Sequence, residues 1–465
     1  MKNKSYSKLL RLFSLLLVII ILCSSTVACR KEQSKDDILD NISSSESKRY
    51  NYVWKYLENF GVPIFDRAKL LWVEEVFQTY YNVNGGLPDT HTHAVLTASA
   101  FMDQYYDNID ISDKKAVTDA LITCYVETIG DPYSVYRTAS EYNDYNNDMS
   151  GSFGGIGVVI EYDHNEETLM VSSVYIDSPA EDAGIIVGDY IYAVEGKTVE
   201  EIGYLNVVNL VRGDIGTQVN ITIKRGESLI DVVATRAKVE EKTVAYVMLE
   251  NDIGYVQIAS FKDNTFAQFV EAIDSLEKMG VKGYIFDLRN NLGGYVHSVR
   301  SILSYLLPNG CPIISYTYKN SEAEVLKSET DIHPTKKDPS DPTKPFEEDH
   351  KTDLPIVVLC NEYTASAGEI FTAVMRDYND EGVIDATVIG TNTYGKGVMQ
   401  SGAEYYDGSS VVFTVAYYNP PCGVNYHGVG IIPDITVDNV YDEETFIDSQ
   451  FNRALEEMNH ILNTK

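Results

Sequence analysis

Ser366 stands between two alanines in "NEYTASAGEI", residues 361–370, just behind the apolar run "PIVVLC". A hydroxyl with such small neighbours is open to two readings. It is packing filler, or it is a nucleophile left uncrowded so that a substrate carbonyl can approach. A serine nucleophile needs a base. One is offered by "TNTYGKGVMQ", residues 391–400, where Lys396 lies between two glycines after the strand-like "ATVIG". A lysine held against backbone and out of water loses pKa from its ordinary value of about 10.4. The neutral amine can then accept the serine proton. A third stretch, "FDLRNNLGG" from Phe286 to Gly294, ends a strand in a turn with bare backbone N–H groups, the donors an oxyanion hole requires. Alone, it also reads as a structural turn with an Asp287–Arg289 ion pair. A histidine base stays open too, through His427 in "GVNYHGVG" or His297 in "GGYVHSVR".

These residues need a scaffold, and hydrophobic periodicity supplies its outline. From residue 251 strand-like runs alternate with amphipathic helical runs: "IGYVQIASF", "FAQFVEAIDSLEKMG", "GYIFDLRNN", "VHSVRSILSYLL", "PIVVLC" and "AGEIFTAVMRDY". Such alternation argues for a layered α/β domain, here residues 240–440, with a closing helix over 441–465. The polar stretch 319–353, rich in Lys, Asp, Glu and Pro, reads as a long surface loop. Residues 151–239 have another texture, with short β-like runs such as "GIGVVIEY" and "VNITIKR" separated by "SPAEDAG" and "VVNLVRGDIG". That is a compact barrel-like module. Before it, in the region 29–150, "VWKYLENF", "LWVEEVFQTYY" and "AVTDALITCYVETIG" space apolar residues three and four apart, which predicts a small helical domain. It ends in the turn "GDPYSVYRTASEY".

Taken together the motifs resemble one family. "NEYTASAGEI", "TYGKGVMQ" and "FDLRNNLGG" are similar to the signatures of the C-terminal processing peptidases, the tail-specific Ser-Lys proteases. "GDPYSVY" followed by "GSFGGIG" resembles that family's passage into its PDZ domain, and "GVGIIPDI", Gly428 to Ile435, its closing core strand. The resemblance covers about residues 45 to 460. It implies a multidomain α+β chain: an N-terminal helical domain, a PDZ domain and an α/β layered Ser-Lys protease core. It places the nucleophile at Ser366, the general base at Lys396, and the residue that orients the base at Gln400. Oxyanion donors fall on the backbone of Ala367 and on Gly293 in preference to Gly294. The loop Gly155, Ile156 and Gly157 becomes a PDZ nest for a terminal carboxylate, and Arg212 a residue that couples this domain to the active site. Two positions depart from the pattern: Gly368 stands where a serine is common, and Tyr363, where a small residue is common, narrows the approach to the nucleophile. His427 and His297 become structural. Relatives also imply a homodimer built from the helical domain. No metal and no cofactor are expected. The function implied is an exported serine endopeptidase that recognises the C-terminal region of its substrates. The other reading is a PDZ-based scaffold on an inactive protease core, and the presence of all three catalytic side chains argues against it.

Composition limits the partners. The chain has 465 residues, 44% hydrophobic, so two or three folded domains are expected. A formal net charge of −32 excludes nucleic acid as a partner, which would need a basic face. Lys2, Lys4, Lys8 and Arg11 precede the apolar run Leu12 to Cys23 and the small-residue exit "TVACR". That is an export signal over residues 1–28. It puts the protein at the outer face of a bacterial cell membrane, held by a lipid on Cys29 or by an uncleaved anchor, or released after Ala28. The four cysteines beyond Cys29 are widely spaced and read mostly as buried thiols, with no zinc pattern.

Overall fold

The computed structural model describes residues 65–80, 90–163, 168–318, 323–329, 331–338, 341–348, 351–438, 440–442 and 447–464. The helical segment "VWKYLENF", the export signal and Cys29 lie outside the described residues.

By internal contacts the chain falls into two units. One holds residues up to 75 and 87–130, the other residues 76–86 and 131–465. The first is helical, with helices Thr90–Gln104 and Lys114–Glu127 and the early turns of Arg67–Tyr80. Their apolar residues interlock: Leu70, Val73, Ala94, Phe101, Val117 and Leu121 are buried. The Asp113 side chain caps the helix Lys114–Glu127 by accepting from the N–H groups of Lys115 and Ala116. Lys69 is buried with its partner Asp119 at 2.9 Å, which a charge in a core requires.

In the second unit a six-stranded sheet runs in the order Val244–Met248, Ile253–Ile258, Gly283–Asp287, Ile356–Cys360, Ala386–Gly390, Ile435–Thr436. Only the first pair is antiparallel. The central strands are apolar on both faces because helices cover both. Thr265–Lys278, Val296–Leu306 and Ala367–Asp380 bury Phe269, Ile302 and Phe371 on one side. Helix Ser449–Thr464 buries Ala454 and Met458 on the other. The expected Asp287–Arg289 pair is present at 2.6 Å and extends to Asp448 at 2.8 Å, tying the start of that last helix to the sheet.

A second sheet packs Val135–Arg137, Ser410–Asn419, Pro312–Tyr318 and Glu324–Lys327 in that order, with Val398–Glu404 also on Ser410–Asn419. Two expectations are corrected here. The "VYR" part of the expected turn, Val135–Arg137, is a three-residue strand paired to residues 410–412, too short to announce itself by alternation. The presumed loop 319–353 also carries strands. Glu324–Lys327 adds to the sheet edge, and Asp331–Asp338 pairs with Asp341–Glu348 as a hairpin. At Glu324–Lys327 the charged side chains suit an edge strand, so polarity alone does not mean loop. Gly428–Asp434 is a loop, and only Ile435 of "GVGIIPDI" joins the sheet, in the strand Ile435–Thr436.

The module from residue 152 to 240 is a six-stranded sheet, Val158–Asp163 to Ser228–Thr235, closed below by Ser152–Gly155 on Ala237–Glu240. Both of its connections to the core are gripped by one buried lysine. Lys262 reaches Asp148 at 2.9 Å and Glu241 at 2.8 Å. Asn264 donates to the carbonyls of Gly151 and Glu241 beside it. Of the four cysteines, Cys124 and Cys360 are buried, Cys311 is half-buried and Cys422 is exposed, so half are not the buried thiols expected.

Candidate active site

Ser366 caps the N-terminus of helix Ala367–Asp380, six residues after the strand Ile356–Cys360 ends. Its backbone is left-handed, with φ 53° and ψ −116°. A non-glycine residue pays roughly 1–3 kcal/mol for such a conformation, and strain of this kind gathers at functional sites. The turn holds the hydroxyl out of the helix, near its positive end.

The device that holds the turn is Glu369. Its carboxylate is fully buried and accepts four hydrogen bonds. Oε2 takes the N–H of Ser366 at 2.9 Å and the N–H of Lys396 at 2.8 Å. Oε1 takes Gly395 N and Thr393 Oγ1, both at 2.6 Å. One carboxylate thus ties the backbone of Ser366 to the backbone of Lys396. Burial pushes its pKa above the usual range, while bonds from Thr393, Lys396, Gly395 and Ser366 pull the other way.

Lys396 is half-buried, and burial lowers its pKa, with the carboxylates of Asp131 and Glu369 opposing that shift. Its amine lies 4.8 Å from the centre of the Tyr133 ring. Among the described residues it makes no hydrogen bond to Ser366 or Gln400. Gln400, expected to orient the base, sits beside an irregularity in its strand. A β-bulge between Met399 and Gln400 re-aims its side chain, whose Nε2 donates to Thr414 Oγ1 at 3.3 Å. Tyr418, from the facing strand, donates its hydroxyl to the carbonyl of Lys396 and faces the Ser366 hydroxyl. Burial holds that phenol protonated, its pKa raised far above the ordinary value.

Gly293 packs directly on Ser366: a Cβ there would lie 2.7 Å from Ser366 Cβ and 2.9 Å from Ala367 N. With φ +103°, it is a position only glycine fills. Its N–H, however, is taken by Asn291 Oδ1 at 2.8 Å in an Asx-type turn. The expected donor pair is therefore altered. Among the described residues, the N–H groups of Ala367 and Gly294 make no hydrogen bond and are free to donate. Tyr363 lies exposed near the nucleophile's turn.

Of the histidines, His297 pairs with Asp263 at 2.8 Å. His427 is nearer the chemistry. Its ring meets Tyr133 at 6.0 Å and Tyr417 at 5.7 Å, and its pKa is lowered by burial, with Lys396 adding to that shift and Asp131 opposing it.

In the 152–240 module, the N–H groups of Ile156 and Gly157 make no hydrogen bond among the described residues, although Ile156 is 1% exposed. Their carbonyls are engaged, accepting from Ala180 N at 2.8 Å and Tyr175 N at 2.9 Å. Unpaired N–H groups in a row form an anion nest. The exposed Arg212 guanidinium lies 4.2 Å from the centre of the Phe153 ring, next along the chain from that loop.

Comparison with known proteins places these features. Residues 252–437 match peptidase family S41, and residues 170–225 match the PDZ domain. A CtpA-like serine protease of Staphylococcus haemolyticus (strain JCSC1435) is 32% identical over 88% of this chain and 77% of its own length. The chain belongs to peptidase family S41. The carboxy-terminal processing protease CtpA of Bacillus subtilis (strain 168) is 36% identical over 72% of this chain and 66% of that protein. The chain thus spans about two thirds of the length of that relative and more of the first. Among solved structures, a photosystem II D1 C-terminal processing protease aligns at TM-score 0.43 with 24% identity, over 79% of this chain and 92% of that one. The stretches 286–294, 361–370 and 391–400 all fall inside the residues matched to family S41.

Proposed function

We propose that this S41 peptidase is a serine endopeptidase whose PDZ domain receives the free C-terminus of its protein substrates. The single observation that carries the reading is the Glu369 carboxylate, which brackets Ser366 and Lys396 together in a buried setting that depresses the lysine. Lys396 Nζ takes the Ser366 proton as Oγ attacks the scissile carbonyl. The carbonyl oxygen then gains charge against the N–H of Ala367 and the glycine turn after Asn291. Collapse expels the amine and leaves an acyl-serine, which water hydrolyses by the same proton route.

Substrate selection follows from the nest at Ile156 and Gly157, with Arg212 as the charge beside it. An extended peptide would add along Val158–Asp163, as in β-augmentation. A substrate ending in a free carboxylate is therefore expected to be cut at least about tenfold more efficiently than its C-terminal amide, since hydrogen bonds to a charged group contribute about 1.5–3 kcal/mol. The scissile bond is the same in both. The check is kcat/KM for paired free-acid and amide substrates, in wild type and in Arg212→Ala. Equal values for the two substrates would remove C-terminal recognition from the account and leave the Ser366 chemistry standing.

Export completes the proposal. The basic residues Lys2 to Arg11 ahead of an apolar run support a place outside the cytoplasm, tethered through Cys29 or through the uncleaved segment. Mass analysis of protein purified from a membrane fraction tests it. A diacylated Cys29 N-terminus or an intact Met1 supports a tether, and a soluble chain starting at Cys29 without lipid contradicts it.

A further inference from the structure

The motif "GDPYS" does not only lead towards the PDZ domain. Its turn is closed by Asp131, whose carboxylate accepts from Tyr133 N at 3.1 Å and from the Ser134 hydroxyl. The next three residues pair with Ser410, Val411 and Val412. That strand also supplies Thr414, the partner of Gln400, and Tyr418, which faces Ser366. The pairing therefore fixes the turn against the catalytic strands. The Tyr133 ring ends up under the Lys396 amine at 4.8 Å and edge-on to His427 at 6.0 Å. Its hydroxyl meets that of Tyr394, and burial together with that contact pushes its pKa up to about 12, so it stays a neutral phenol.

No salt bridge reaches the Lys396 amine among the described residues. The face of the Tyr133 ring lies 4.8 Å from it. A ring face attracts a cation and does nothing comparable for a neutral amine. The reaction changes the amine in that sense: Ser366 loses a proton, the Oγ–carbon bond forms, and Lys396 becomes an ammonium.

We propose that Tyr133 is a positioning residue for the reaction, a platform that holds the Lys396 amine and stabilises the ammonium it becomes as Ser366 attacks. This rests on the Ser-Lys reading above. It makes the segment ahead of the PDZ domain part of the active site. The other charged or titratable groups facing the amine are Asp131, Glu369 and His427, with Tyr418 on its carbonyl. Asp131 and Glu369 favour the charged amine, as the ring does, and burial opposes them.

The test uses the full chain and a small activated ester, which acylates Ser366 without engaging the PDZ domain. Tyr133→Leu fills most of the space without a π face. It is expected to lower kcat about three- to thirtyfold with KM little changed. The rising limb of its pH profile should move to lower pH by about half a unit to one unit, because the ammonium has lost a stabilising partner. Tyr133→Phe keeps the face and should match wild type in both respects. A Leu variant with wild-type kcat and limb, a limb that moves upward, or a Phe variant as damaged as Leu would each overturn the proposal. Thermal melts of both variants confirm that a folded protein is compared. Lys396→Ala separates the two levels of inference. If it stays active the Ser-Lys reading fails, whereas if it is dead and Tyr133→Leu is normal only the platform fails.

Discussion

Ser366→Ala is expected to lower kcat/KM for peptide cleavage by at least about 10⁴-fold, the scale at which losing a nucleophile leaves only binding and oxyanion stabilisation. The fold should survive, because the side chain is a single half-buried hydroxyl at a helix cap. The backbone makes a sharper form of this prediction. Residue 366 is held at φ 53° by a turn whose N–H is tied to Glu369. Glycine accepts that conformation freely. Ser366→Gly should therefore be as dead as the alanine variant and yet more stable, by about 1 kcal/mol. Stability that rises as activity vanishes would identify the strain as a cost the chain carries for its nucleophile. A glycine variant that is less stable, or an alanine variant that still cuts, would contradict the assignment.

The second large effect belongs to Glu369, which touches neither substrate nor reacting atoms in this account. Glu369→Gln keeps the shape and replaces one acceptor oxygen with a donor. At least one pair among Ser366 N–H, Lys396 N–H, Gly395 N–H and the Thr393 hydroxyl then faces an N–H₂ group in a fully buried site. Each buried donor left without a partner costs about 1–3 kcal/mol, so a loss of about 2–5 kcal/mol of stability is expected by denaturant melt. Activity should fall at least about a hundredfold even in the folded fraction, because the turn and the Lys396 loop are no longer fixed to one another. Glu369→Asp keeps the charge but shortens the reach, and should lie between wild type and the glutamine variant. A glutamine variant with normal turnover would show that the two loops hold their places without the carboxylate.

Much of this site was legible in the chain, and the part that was not has a physical reason. Ser366 and Lys396 announced themselves by small neighbours and by position behind apolar strands. Sequence reasoning misses Glu369 in the same stretch, although Ser366-Ala-Gly-Glu369 has the spacing of a capping box. That pattern could have directed attention to it. Its other partners, at residues 393–396, are contacts of tertiary structure, which no local pattern records. Gln400 was placed by resemblance, but the bulge beside it depends on how two strands register. The Asn291 side chain that occupies the Gly293 N–H is likewise a matter of local rotamer and turn. Strand 135–137 is too short for periodicity, so the sequence alone leaves Tyr133 in a turn ahead of another domain. The layered α/β core was read from alternation because strands buried on both faces and amphipathic helices write different patterns.

Lys396 acts as the base in its neutral form, and His427, which shares the Tyr133 ring with it, is the competing candidate. The measurement that addresses it is the pH profile of Ser366 acylation in wild type, Lys396→Ala and His427→Ala. Burial lowers the lysine pKa, so the fraction of neutral amine grows as pH rises through that lowered value. Wild type should show one rising limb, with its midpoint below the ordinary lysine value of about 10.4, and a plateau above it. His427→Ala should keep that limb, and Lys396→Ala should show no acylation at any pH. A limb near the ordinary histidine value of about 6.5 that survives Lys396→Ala and disappears with His427→Ala would contradict the account.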